Sequence, residues 1–471
     1  MRRRYVSALA TMALAALSMG QAGCGSTEAA TSTVAIGAVL DRTGTLAATS
    51  WVEAATLAVA DANQALQQSG RVLRFKLEVS DSTNTPKVAT QRALELVQQK
   101  GVRGIVTDSS QDDIALNTTF YDADKTNDLN VPIVCMACTS PAINNPASSN
   151  PSDAVNQATL RNGLHWNFRA LMDAMPQAKV FVRVAQGKAS SGDVNGDGLF
   201  KLAIYYSDEA FGRGFADALK VTVAALSLPI PTSVELISHP ATVDPNTYDF
   251  ASDVKRLVDN NNETTMTKDG LPDLVSFVTF PQFVSALAKS YGISGNGVPV
   301  LHTHVSRFPS VLRVAGSSLA GQEGTSHISL EPGASGSAFA SSLRTATSLE
   351  PQFLDANTYD GTMALILASA YASRTLADPE TVTGEQVRQA MSAINDPKGT
   401  VVRPGPTELA KAFDLIAADK PINYEGASGP LDFSADGNVI NKLVLWRASA
   451  TAFTEQSTYD CVTNPDCPKT P

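Results

Sequence analysis

The sequence predicts an α/β fold made of parallel sheets wrapped by helices. Three observations carry this. Short apolar runs of strand length alternate with helical segments, the alternation restarts near Leu202, and the loops after several runs are rich in hydroxyls. Such alternation is the pattern of a parallel sheet covered by helices. The chain has 471 residues, 43% hydrophobic and 17% charged, enough for more than one core and too apolar for disorder.

In the first half, Thr33–Leu40 is an apolar run of buried-strand length. Glu53–Gln68 is Ala-rich, helical and closed by Gly70. Arg71–Val79 alternates, with Leu73, Phe75, Leu77 and Val79 on one face. Pro86–Lys100 is a helix with Pro at its start and Gly101 at its end. Gly104–Thr107 and Val131–Met136 are further strands. The second half offers strands at Leu202–Tyr206, Ser233–Ile237, Leu274–Thr279 and Val298–His302, with helices at Gly214–Ala225, Phe250–Asn260 and Gln282–Tyr291. After Pro332 helices are expected at 334–346, 357–372, 384–394 and 408–418. A closing hairpin is expected from Leu431–Phe433 and Val439–Trp446, turning at Asp436-Gly437.

The amino terminus has the three-part layout of a secretory signal: Arg2, Arg3 and Arg4, an apolar run Val6–Met19, and small residues up to Cys24. The run is too short to span a membrane, which takes about 20 residues. Gln21-Ala22-Gly23-Cys24 resembles a bacterial lipoprotein signal, with Cys24 lipidated, although Gln21 departs from the usual aliphatic residue. Residues 1–23 are then a removed signal and 24–33 a tether. The net charge of −10 becomes −13, because three arginines leave and no acid does. An acidic chain with pI about 5.1 is no general nucleic-acid binder. In an oxidising compartment Cys461 and Cys467 are expected to form a bridge. Cys135 and Cys138 are read as a local disulfide or two buried thiols, since no second pair stands at zinc spacing.

No nucleophile elbow, zinc-protease helix, Walker loop or dinucleotide fingerprint occurs. The hydroxyl-rich loops are instead placed at strand carboxyl ends: Thr43 to Ser50, Asp108-Ser109-Ser110, and Ala137-Cys138-Thr139-Ser140. Ligands bind at that edge of open parallel sheets. Hydroxyls and free amides there suit a carboxylate or another small polar group, while each hydroxyl alone could equally be a helix cap. His302 and His304 at a strand end would point both rings to one side, but further zinc ligands are lacking nearby. Asp193, Asn195 and Asp197, followed by Gly198, form the front half of a calcium loop; Ile204 stands at the twelfth position, so calcium competes with a plain polar turn. No other cofactor is expected.

At this point the chain resembles the type 1 periplasmic binding proteins, in the leucine/isoleucine/valine-binding branch that serves ABC importers. The resemblance covers about 34–448. It rests on IGAVLDRTGTLA, VPIVCMACTSPAI, LAIYYSDEAFGRGFADALK, NTYDGTMAL and, most specifically, YEGASGPLDFSADGNV. It implies two Rossmann-like lobes with parallel sheets joined by three hinge crossings: 34–168 with 331–427, and 169–330 with 428–450, leaving 451–471 as a tail. It further implies a monomeric, non-enzymatic, lipid-anchored solute receptor in the periplasm or cell envelope, partnered by an inner-membrane ABC permease. A sensory module of the same fold is the alternative. By resemblance Ser109, Ser110, Ala137 and Thr139 hold a ligand carboxylate, the aromatic that covers the ligand falls near Thr49 and is lost unless Trp51 substitutes, and Phe211 and Phe280 wall the ligand. His304 stands near the place of the acid that receives an amino acid's ammonium; Asp208, Asp112 or Asp113 could take that role, or be solvated loop charges.

Overall fold

The computed structural model describes residues 31–121, 124–143, 166–225, 230–259, 271–294 and 297–470. The signal segment 1–23 and Cys24 lie outside the described residues.

The first sheet has five parallel strands. They are β1 (Ser32–Leu40), β2 (Leu73–Asp81), β3 (Ile105–Thr107), β4 (Ile133–Cys135) and β5 (Asn167–Arg169), in spatial order β2-β1-β3-β4-β5. Helix α1 (Thr49–Gln68) crosses from β1 to β2, α2 (Pro86–Lys100) from β2 to β3, and α3 (Ser110–Phe120) follows β3. α1 ends where Gly70 takes a positive φ of 64°, which glycine adopts without steric cost. Its buried face is mostly alanine with Trp51, Leu57 and Leu66. Each fully buried Leu-sized side chain adds about 1.5–3 kcal/mol.

After α4 (Ala174–Gln186), the second sheet begins with β6 (Phe200–Ser207), α5 (Ala210–Ala224), β7 (Thr232–His239), α6 (Phe250–Asp259), β8 (Leu274–Val278) and α7 (Pro281–Ser294). Its parallel core runs β7-β6-β8. A bridge between Val275 and Val300 leads on to β9 (Leu301–His302). Past α8 (Pro309–Ala315), β10 (Glu323–His327) pairs parallel with β9 and antiparallel with β14 (Leu443–Ala448), which in turn pairs with β15 (Phe453–Tyr459). Between β10 and β14 the chain returns to the first lobe as α9 (Ala334–Thr347), α10 (Asp355–Ser373), α11 (Gly384–Ala390), β11 (Thr400–Val402), α12 (Pro406–Ala417), β12 (Ile422–Gly426) and β13 (Gly429–Pro430). Helix α10 is buried along almost its whole length. Gly361 lets it lie on the first sheet, where an added Cβ would stand 3.2 Å from Val134 Cγ1.

The segments joining the lobes run side by side and share hydrogen bonds. Arg169 N–H donates to Gly437 O at 2.9 Å, Ile328 N–H to Lys442 O at 3.2 Å, and Glu331 N–H to Ala427 O at 2.7 Å. Asn441 Oδ1 accepts from Met172 N–H at 3.0 Å. These bonds correct one expectation. Residues 431–442 form no hairpin arm, because several of their polar groups serve the neighbouring crossings. The hairpin is β14 with β15, so the segment set apart as a tail from 451 contributes a strand to the second sheet.

Both cysteine pairs are bridged, Cys135 to Cys138 and Cys461 to Cys467.

Candidate functional site

In each sheet the strand order reverses between neighbours, and the loops diverge there to leave a crevice. In the first sheet this point lies between β1 and β3, which lead into Asp41 and Asp108. In the second it lies between β6 and β8, which lead into Asp208-Glu209 and Thr279-Phe280. Both loop sets meet around one small cavity of about 20 Å³. The first lobe contributes Leu46, Asp108, Ser109, Ser110, Ala137 and Leu354; the second contributes Phe211, Phe280, His304, Val305 and Phe308. That volume holds about one water molecule, so the lobes stand closed and an organic ligand needs them to part.

The β1 loop folds around its own carboxylate. Asp41 Oδ1 accepts from Thr43 N–H at 3.2 Å and Gly44 N–H at 2.5 Å, and Oδ2 from Leu46 N–H at 2.8 Å. Gly44 is required, since an added Cβ would lie 2.3 Å from Thr83 O. Its carbonyl accepts from Gln282 Nε2 of the opposite lobe at 2.9 Å. Asp108 is fully buried; Asp41 N–H donates to its Oδ2, and its Oδ1 has no hydrogen-bond partner among the described residues. Burial, then the nearby Asp112, pushes the Asp108 carboxyl well above its ordinary range. Burial also pushes Asp112 up to about 8, opposed by the Ser82 hydroxyl.

Ser109 caps α3, its Oγ accepting from Asp112 N–H at 3.3 Å. Ser110 Oγ accepts from Ser140 N–H at 3.2 Å. The loop after β4 is pinned by Arg169, whose Nη1 donates to Cys138 O at 3.1 Å and Nη2 to Ser140 O at 2.8 Å. Ala137 stands inside the ring closed by the Cys135–Cys138 bridge and faces the cavity. Across the cleft, Phe211 and Phe280 have centroids 6.0 Å apart, and the His304 ring meets Phe211 edge-on at 5.4 Å. His304 Nδ1 lies 2.8 Å from Gln177 Oε1. Burial pushes His304 down to about 3, so the ring is neutral.

The remaining expected residues stand elsewhere. Trp51, in the first turn of α1, is turned into the core; it is fully buried against Phe308 and is not among the cavity's lining residues. Thr49 lines an outer groove of about 370 Å³ with Arg42 and Arg313, sharing only Phe308 with the cavity. Thr139 is buried beside the site, its Oγ1 without a partner among the described residues. Asp208 is paired with Arg213 at 2.5 Å on the surface, the solvated loop charge. The two histidines do not share a direction. β9 ends at His302, whose ring bonds Ser306 and Gln322, and a 3₁₀ turn carries His304 toward Gln177. In the Asp193 loop the carboxylate accepts from Gly196, Asp197 and Gly198 N–H groups, and Asp197 Oδ1 from Leu199 N–H.

Of the lining residues, Asp108, Phe308, Val305, Leu46 and Leu354 were not singled out as ligand contacts from the sequence, nor was Asp41, which shapes the β1 loop. Asp41 and Asp108 carry a readable signal, each being the acid that ends an apolar run on either side of the first sheet's reversal. Phe308 carries none. No hydrogen bond joins Ser109 or Ser110 to His304 among the described residues.

Residues 33–413 match the family model described as "Periplasmic binding protein". The chain belongs to the periplasmic binding protein family. Solved structures show the same fold. A leucine-binding protein of Thermotoga maritima superposes with a TM-score of 0.62 at 14% identity, covering 90% of this chain and 98% of that one. A branched-chain amino acid transporter substrate-binding protein of Streptococcus pneumoniae, in complex with isoleucine, gives 0.60 at 15%, covering 90% and 100%. A solute-binding protein of an ABC transporter from Rhodopseudomonas palustris, in complex with 3,4-dihydroxybenzoic acid, gives 0.62 at 16%, covering 92% and 99%. No curated protein matches the sequence. No helix among the described residues is long and apolar enough to cross a membrane.

Proposed function

We propose that this periplasmic binding protein is the solute receptor of an ABC importer, held to the envelope through lipid on Cys24 and capturing a small organic ligand by lobe closure. The observation that carries this is the cavity itself. Six of its residues come from one lobe and five from the other, so a ligand there touches both only when they are shut. Contacts made only in the shut state are what drive closure. The ligand has an apolar part, matched by the phenylalanines, and a polar head, matched by the Asp108–Ser110 turn. Amino acids and related small carboxylates combine both features. A thermal-shift screen of amino acids, carboxylates, amines and amides should find one class that raises the melting temperature, because a ligand at 100 times its Kd adds about 2.7 kcal/mol. A flat response across all of them would refute the receptor reading. Cys24→Ser should release the protein from membranes, and retention would refute the anchor.

A further inference from the structure

Asp108 is the one acidic residue lining the interlobe cavity, and neither Lys nor Arg lines it. Its free Oδ1 is buried, and an unmatched buried polar atom costs about 1–3 kcal/mol, more when charged. The charges acting on it, Asp112 and Asp41, are of its own sign. His304 supplies no positive charge, being neutral and bonded to Gln177. A helix N-terminus would ordinarily receive an anion, but both of those beside the cavity carry the chain's own acids. Glu209 accepts from Phe211 and Gly212 N–H groups, each at 2.7 Å, and α3 carries Asp112 and Asp113 in its first turn. Facing this acidic side are three phenyl rings, Phe211, Phe280 and Phe308. A ring face attracts a cation by about 0.5–2 kcal/mol, and several rings around one point form the cage that recognises alkylated ammonium groups.

We propose that the cleft selects a small organic ammonium ligand, its cationic nitrogen on Asp108 and its carbon atoms against Phe211, Phe280 and Phe308. The inference rests on the receptor reading and narrows it. An ammonium supplies the partner that Asp108 Oδ1 lacks and favours the ionised form that burial otherwise suppresses, whereas an organic anion would find no arginine or lysine lining the cavity to offset its own charge.

The test is isothermal titration and thermal shift of the purified full chain with n-butylammonium and tetramethylammonium chloride, sodium butyrate and benzoate, and butanol. At least one ammonium salt should bind and the anions should not. Asp108→Asn, which keeps an acceptor for Asp41 N–H, should weaken that salt by about thirtyfold or more, as when one partner of a buried charge pair is removed. Phe280→Leu, which keeps apolar bulk without a ring, should weaken tetramethylammonium severalfold. Binding of butyrate, benzoate or butanol without either ammonium salt would overturn the inference and leave the receptor reading standing. Ammonium binding unchanged by both substitutions would overturn it too. Failure of every probe would count against the inference and the receptor reading together.

Discussion

One carboxylate, Asp360, ties the helix that backs the first lobe to the segment that leaves it. Tyr424 Oη donates to it at 2.9 Å, Ala427 N–H at 2.9 Å, and Ser428 N–H and Oγ–H at 2.6 Å each. Burial still lifts its pKa to about 6 against those donors. Gly426 is required beside it, because an added Cβ would sit 2.4 Å from Asp360 Oδ2. Asp360→Ala should therefore cost about 3 kcal/mol, since it strands several buried donors at once. Gly426→Ala should cost about 1–3 kcal/mol by overpacking. Urea unfolding measures both, and a loss under about 1 kcal/mol in Asp360→Ala would show that the network does not hold the hinge. These residues also show what was legible at this scale. NTYDG and YEGASG looked like two separate family marks in the sequence; the structure makes them the acceptor and the donors of one cluster. Trp51 was illegible in the opposite sense. An aromatic in a ligand-covering loop and one in the first turn of a core-facing helix look alike until the helix start is known, and α1 starts two residues before it.

Among the elements, the chain's last one is mostly polar and is held by specific contacts. β15 pairs with β14, and the bridged loop beyond it is gripped by α4: Arg183 donates to Cys467 O at 2.5 Å and to Asp466 O at 2.7 Å. Replacing Cys461 and Cys467 by Ser should cost about 2 kcal/mol, the loop-closure value for so short a ring. Parallel urea melts with and without reductant would check it, and unchanged melts would mean the arginine contacts alone hold the loop. The cysteine spacing made the bridge legible, but β15 was not, because an edge strand with a single buried residue shows no apolar run. Helix α4 escaped for another reason. Pro176 reads as a breaker, yet it falls in the first turn, where the backbone N–H has no intrahelical partner to lose. The long parallel strands and the Ala-rich helices were legible because burial on both faces leaves a continuous apolar run. In the cavity's second wall Phe211, Phe280 and His304 were named through the resemblance, but Phe308 was not, since it comes from a short turn with no periodicity.

For the molecule as a whole, folding buries acids and histidines whose titrations oppose each other. Burial raises Asp112 to about 8, Asp355 to about 7, and Asp113 and Asp360 to about 6. Such an acid binds its proton more tightly folded than unfolded. Its contribution to stability is whole below the unfolded value of about 4 and is lost as pH rises through the folded values. The histidines run the other way. Burial pushes His302 down to about 4, His304 to about 3, and His327 well below its ordinary value. They stay neutral when folded, while an unfolded histidine protonates near about 6.5, so their contribution is whole above that value and is lost as pH falls through theirs. Between about pH 4 and 6.5 the two limbs oppose each other and nearly cancel, so the melting temperature is expected to change little there and to fall on either side. Asp112→Asn removes the highest of the four acids and should flatten the alkaline limb while leaving the acid limb in place. If the variant instead follows the wild-type profile in parallel up to about pH 9, Asp112 does not change its proton affinity on folding, and the acidic side of the cleft is better solvated than its burial implies.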